Sequence, residues 1–159
     1  MRSIISLLLL LCLPALSAAG DAAAELAKDR QAIKNLLGRM ATAEQAGDAN
    51  AVALCYEGDG MLLPTSGEPV KGREGITKRY QAIFAGKTPR LPLESEELWV
   101  MDDWAVSRGT TRVPAAPAAT AAKKPAKGAV RNRYVMTLKR HGDSWEIQSL
   151  VWNSAAAAK

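Results

Sequence analysis

Histidine occurs once in the 159 residues, phenylalanine once and cysteine twice, and aromatic residues make up 5% of the chain. Each shortage excludes something. A metal centre built on His and Cys needs several such ligands at short spacing, and no such cluster exists, so neither a metal nor another cofactor is expected. Few aromatics interleave with the basic residues, which leaves no stacking platform for single-stranded nucleic acid. The longest apolar run, Ile4 to Leu13, is broken by Pro14. A membrane span needs about 20 apolar residues, so stable membrane insertion is not expected.

That run has a different use. Arg2 precedes it, and Pro14 with Ala15, Ser17, Ala18 and Ala19 follows it. The charged, apolar and small-residue order is that of a secretory signal. Residues 1–19 are therefore read as a signal peptide cleaved near Ala19, which implies a periplasmic or secreted protein. Leu9, Leu10, Leu11 and Cys12 are similar to a lipid-attachment box, but Leu11 is bulky where that signal takes a small residue, so a lipoprotein anchored at Cys12 is not the reading adopted. Without the leader only Cys55 remains, which rules out an intramolecular disulfide. It lies in the run Val52-Ala53-Leu54-Cys55-Tyr56 with no histidine or cationic cluster adjoining, as a small buried thiol rather than a reactive one.

The formal net charge of +5 falls to +4 without Arg2, and the basic excess belongs to the second half of the chain. Lys123, Lys124 and Lys127 lie in an Ala- and Pro-rich stretch, where a solvated loop explains them without a nucleic-acid groove.

Residues 20–31 lead into the first helix. From Asp21 to Ala46 the residues Leu26, Ile33, Leu36, Leu37 and Met40 fall on one helical face. Gly47 suits a left-handed helix terminus, and Asp48 caps a second short helix expected to run through Tyr56. Gly60 to Pro64 reads as a short strand, Thr65 to Pro69 as a turn, and Arg73 to Ala85 as a third helix with Ile76, Tyr80, Ile83 and Phe84 on one face, ended by Gly86. The pattern then changes to strands: Leu93 to Met101 and Trp104 to Val113 about the turn Asp102-Asp103, then Val130 to Arg140 and Ser144 to Trp152 about His141-Gly142-Asp143. Pro114 to Gly128 is low-complexity and reads as a mobile hairpin loop, and residues 155–159 as a fraying tail. Helices followed by a four-stranded antiparallel meander make one α+β domain, in which the helices cover one face of a twisted sheet curled into an open cone. Its mouth would be the ligand site, an apolar hollow of roughly 300 to 1,000 Å³.

Several segments carry a family resemblance: Ala46-Gly47-Asp48, then Tyr56-Glu57-Gly58-Asp59-Gly60-Met61-Leu62-Leu63-Pro64, then Gly72-Arg73-Glu74-Gly75-Ile76. Later come Asp103-Trp104-Ala105-Val106 with Arg108-Gly109, Tyr134 to Leu138, Trp145-Glu146-Ile147 and Val151-Trp152-Asn153. In order and spacing, residues 32–154 resemble the SnoaL-like proteins and the domain of unknown function 4440, within the nuclear transport factor 2-like superfamily. The resemblance implies a cone-shaped fold, helices packed on a curved antiparallel sheet, that commonly dimerises through the outer sheet face. It implies no single reaction, since isomerases, dehydratases, cyclases and ligand carriers share the cone.

Chemistry has to come from the residues. Where superfamily members that shift double bonds carry a carboxylate base, this chain has Met61, Leu62, Leu63 and Pro64, and none of these accepts a proton. His141 stands beside Gly142 in a turn, which reads as an exposed turn residue rather than a pocket base. Glu97 is the best remaining acid, able to enter a pocket or to pair with Arg112 or Arg131 across the sheet. The candidate ligand-binding residues are Tyr56, Trp99, Trp104, Tyr134, Met136, Trp152 and Asn153. The leading expectation is an exported homodimer whose cone binds a small, mostly apolar molecule. Two alternatives stay open: an isomerase- or cyclase-like enzyme using Glu97, Tyr134 or Tyr56, and a dimeric protein-interaction module.

Overall fold

The computed structural model describes residues 13–86, 93–111 and 132–154, with side chains described from Gly20 to Asn153. The apolar run of the leader with Cys12, the segment Pro114 to Gly128, the tail 155–159, and Arg112 and Arg131 lie outside the described residues. In chain order the elements are α1 (Leu13–Ala46), α2 (Ala49–Ala53), β1 (Tyr56–Leu63), β2 (Val70–Lys71), α3 (Gly72–Ala85), β3 (Leu93–Met101), β4 (Trp104–Thr111), β5 (Asn132–His141) and β6 (Ser144–Ser154).

The buried face of α1 carries Ile33, Leu36 and Met40, each essentially inaccessible, so the helical spacing does mark the core side. Leu26 is the exception and is exposed. Gly47 ends the helix at φ 71°. Its N–H donates to the Glu44 carbonyl at 3.2 Å and that of Asp48 to Ala43 at 2.9 Å, the paired bonds that satisfy orphaned carbonyls at a helix C-terminus. Asp48 then accepts from the Ala51 N–H at 2.9 Å and caps α2. That helix stops at Ala53, earlier than expected, because Cys55 and Tyr56 are claimed by the sheet: the Ile147 N–H donates to the Cys55 carbonyl at 2.9 Å, and Tyr56 opens β1 opposite Ile147. The strand is accordingly longer than the expected Gly60 to Pro64. Gly86 ends α3 in extended conformation rather than a left-handed one, at φ −77°.

The sheet has six strands in the order β2-β1-β6-β5-β4-β3. The antiparallel meander β3 to β6 is present as expected, but β1 adds to its far side, parallel to β6, and the short β2 caps β1. A parallel partnership between strands this distant in sequence leaves no local turn signal, which is why the four-strand expectation fell short. Side chains alternate cleanly. Ala105 with Ser107, Tyr134 with Met136 and Leu138, and Ile147 with Leu150 are buried on the concave face against the helices, while Trp99, Trp104 and Val135 stand exposed on the convex face. The sheet curls round this inner row.

Gly109 sits where β3 bulges between Ser95 and Glu97. A Cβ there would lie 1.9 Å from the Glu94 carbonyl oxygen and 3.0 Å from the Tyr134 ring. Only glycine allows the strand to pass so close.

α1 is tied down at the hairpin end of the sheet. Asp29, 5% exposed, accepts from the Trp145 indole N–H at 3.1 Å and is ion-paired with Arg140. The Arg140 guanidinium lies 5.0 Å from the Trp145 ring and also reaches Glu25 at 3.2 Å. Removing the Asp29 carboxylate strands a buried indole N–H and a half-buried cation. Asp29→Ala is expected to lower the free energy of unfolding by about 3 kcal/mol in urea titrations. The exposed Lys28–Asp143 pair is a control: Lys28→Ala should leave the urea midpoint nearly unchanged.

Candidate functional site

At the opposite end, the edges of α1, α3 and the sheet surround a hollow of about 410 Å³. Its walls are Leu62 and Pro64 from the end of β1, Ile83 and Phe84 from α3, and Trp152 from the end of β6. Polar groups enter from four directions: Glu44 from α1, Tyr80 and Arg79 from α3, Thr111 from the end of β4, and Asn132 from the start of β5. The size and the ratio of apolar wall to placed polar groups are those of a small-molecule site.

The polar groups are unusual in how they are satisfied. Tyr56 and Tyr80 are fully buried, and their hydroxyls, with that of Thr111, have no hydrogen-bond partner of ordinary geometry among the described residues. Glu44 is 6% exposed. The two phenols and this carboxylate lie near enough to perturb one another's protonation, yet neither phenol completes a hydrogen bond of ordinary geometry. Burial is the largest cause in pushing both phenols above the usual tyrosine range, and the Glu44 charge pushes the same way. They are therefore neutral donors at any physiological pH.

The structure sorts the residues expected from sequence into three places. Trp152 lines the mouth, and Tyr56 lies behind it against Tyr80. Tyr134 and Met136 are core; the Tyr134 hydroxyl is 3.2 Å from the Ser107 Oγ, which is itself 3.0 Å from the Ser95 Oγ. Trp99, Trp104, Asn153 and Glu97 belong to the convex face, because alternation along β3, β4 and β6 turns them away from the helices. There Glu97 pairs with Arg108, Arg108 lies over the Trp99 ring, and Lys139 lies over Trp104. His141 ends β5 rather than forming the turn, and its Nε2 is 2.7 Å from the buried Glu57 carboxylate. That His–acid pair, invisible to sequence order, is remote from the mouth.

Glu44 was missed, although a signal existed. It falls four residues after Met40, on the stripe that carries Ile33, Leu36 and Met40, so a charge occupies a position the helix buries. An acid on the apolar face of an otherwise regular helix marks a structural tie, as at Asp29, or a site.

A family model described as the SnoaL-like domain matches residues 37–146. The chain belongs to the SnoaL-like family. The match begins within the last turns of α1 and ends in β6, so it spans the mouth residues Glu44, Leu62, Tyr80 and Thr111. Among solved structures, this SnoaL-like chain is similar to a ketosteroid isomerase-like protein from Erwinia carotovora atroseptica, with 19% identity and a TM-score of 0.63 over 79% of this chain and 95% of that one. It is also similar to an NTF2-like protein with a cystatin-like fold from Novosphingobium aromaticivorans, at 20% identity and a TM-score of 0.66 over 87% of this chain and 89% of that one. A domain of unknown function with a cystatin-like fold from Nostoc punctiforme matches at 21% identity and a TM-score of 0.61, covering 80% and 78% of the two chains. At these identities the likeness establishes the shared fold. No curated protein matches the chain.

The chain has three tyrosines, Tyr56, Tyr80 and Tyr134, and burial raises all three above the usual range. In the unfolded chain each ionises near pH 10, so the stability they contribute is complete below about pH 10 and is lost as pH climbs beyond it. Absorbance at 295 nm should show no tyrosinate in the native protein near pH 10, then a single step coincident with alkaline loss of the circular dichroism signal. A tyrosine that titrates freely near pH 10 in the folded state would contradict this.

Proposed function

We propose that the mature protein is an exported binder that takes a small, mostly apolar molecule into the mouth of its cone and holds a hydrogen-bonding oxygen of that molecule with the Tyr80 and Thr111 hydroxyls. The carrying observation is that two buried hydroxyls without a hydrogen-bond partner among the described residues, on Tyr80 and Thr111, line one hollow, with a third, on Tyr56, behind them. A buried donor left unmade costs about 1–3 kcal/mol, so a protein that keeps three together gains from a ligand that meets them. Export rests on the sequence pattern of residues 1–19. No described helix is long and apolar enough to cross a membrane.

Removing the Tyr80 hydroxyl separates a binding role from a structural one. A hydroxyl that served the fold would destabilise when removed; one held in reserve for a ligand would not. Tyr80→Phe is expected to leave the unligated protein as stable or up to about 1 kcal/mol more stable, while weakening binding of any oxygen-bearing apolar compound found by thermal shift by about fivefold or more. Loss of stability without loss of binding would overturn the reading.

A second reading, proton transfer on a small hydrophobic substrate of the isomerase or cyclase kind, is favoured by Glu44. This acid lines the hollow together with the neutral phenol of Tyr80 and the Thr111 hydroxyl, so an acceptor and donors face the same volume. It takes the role that Glu97, on the convex face, is not positioned to fill. Turnover of a bound compound that disappears in Glu44→Gln, with binding retained, identifies this activity.

The convex face supports pairing of two copies. Trp99, Met101, Trp104 and Val135 expose apolar surface on neighbouring strands, rimmed by Glu97, Arg108 and Lys139. Sedimentation equilibrium should give a dimer for the mature chain, and Trp104→Glu a monomer of unchanged fold.

A further inference from the structure

We infer that the molecule held by the cone is an apolar carboxylate, bound with its neutral oxygen inward and its carboxylate outward on Arg79. This rests on the reading of the mouth as a binding site and specifies the chemistry of its occupant.

The two charged side chains of the hollow are placed unequally. Glu44 is buried on α1, whereas Arg79 on α3 lines the same volume but is exposed. Among the described residues Arg79 takes part in no ion pair, although its neighbours on the helix, Glu74 and Lys78, pair with each other at 2.7 Å. A guanidinium at the rim of an apolar cavity presents a fork of donors matched to a carboxylate.

The charges also set a direction. An anion pushed to the inner end would meet Glu44 in surroundings of low dielectric, where like charges repel strongly. The inner end offers the neutral donors Tyr80 and Thr111, which suit a ketone or hydroxyl oxygen. The rest of the wall includes Leu62, Ile83, Phe84 and Trp152, which offer apolar contact and, from the Trp152 indole, a single further donor. An occupant that satisfies all three zones carries an oxygen acceptor, a ring or short chain, and a carboxylate in that order.

The test uses 3-(4-acetylphenyl)propanoate and its primary amide, titrated calorimetrically into the mature protein at low and high salt. The acid should bind about tenfold more tightly than the amide, and salt should weaken the acid alone. Arg79→Gln should bring the acid to the level of the amide while leaving the amide and the thermal midpoint unchanged, and Arg79→Lys should restore part of the preference. Equal binding of acid and amide by the unmodified protein overturns this inference and leaves the cavity reading standing, as does an equal loss for both in Arg79→Gln. Binding of neither compound overturns both.

Discussion

The fold depends on one helix being held at both ends for different reasons. At the hairpin end, the Asp29 carboxylate accepts from the Trp145 indole and pairs with Arg140, which locks α1 across the sheet. The buried stripe through Ile33, Leu36 and Met40 then has only one way to lie. At 1.5 Å per residue, the fifteen-residue step from Asp29 to Glu44 is about 22 Å, enough to carry the second acid to the mouth. The two acids share a helical face but not a task. One ties the helix to the sheet through Trp145 and Arg140, and the other borders the hollow.

Local chemistry made much of this legible in advance. The helix stop and cap at Gly47 and Asp48 and the register-setting turns Asp102-Asp103 and Gly142-Asp143 are all short-range signals, and the structure follows them. The two long hairpins and the helix-covered cone follow from those signals because tight turns permit only antiparallel neighbours.

What was not legible is long-range or concerns facing. The parallel seam between β1 and β6 joins segments more than eighty residues apart, so Tyr56 looked helical by its neighbours and is strand by its partner. The place of Trp99, Trp104 and Asn153 on the convex face rather than at the mouth was not legible for a different reason: alternation tells which residues share a face, not which face looks inward, and large aromatics are as much at home on a convex interface as in a cavity. Glu44 is not one of the strand-borne acids to which the superfamily resemblance points; the acid at this mouth comes from the first helix.

The seam has a further consequence, for the order of assembly. β1 is made early, but its long hydrogen-bonded neighbour is β6, the last strand described, and its other neighbour β2 is only two residues long. During synthesis the amide row of residues 56–63 lacks its long partner until residues 144–154 have emerged. The domain is thus zipped by its final strand, and a ribosome-bound fragment that lacks residues 144–154 has no complete core to hold it.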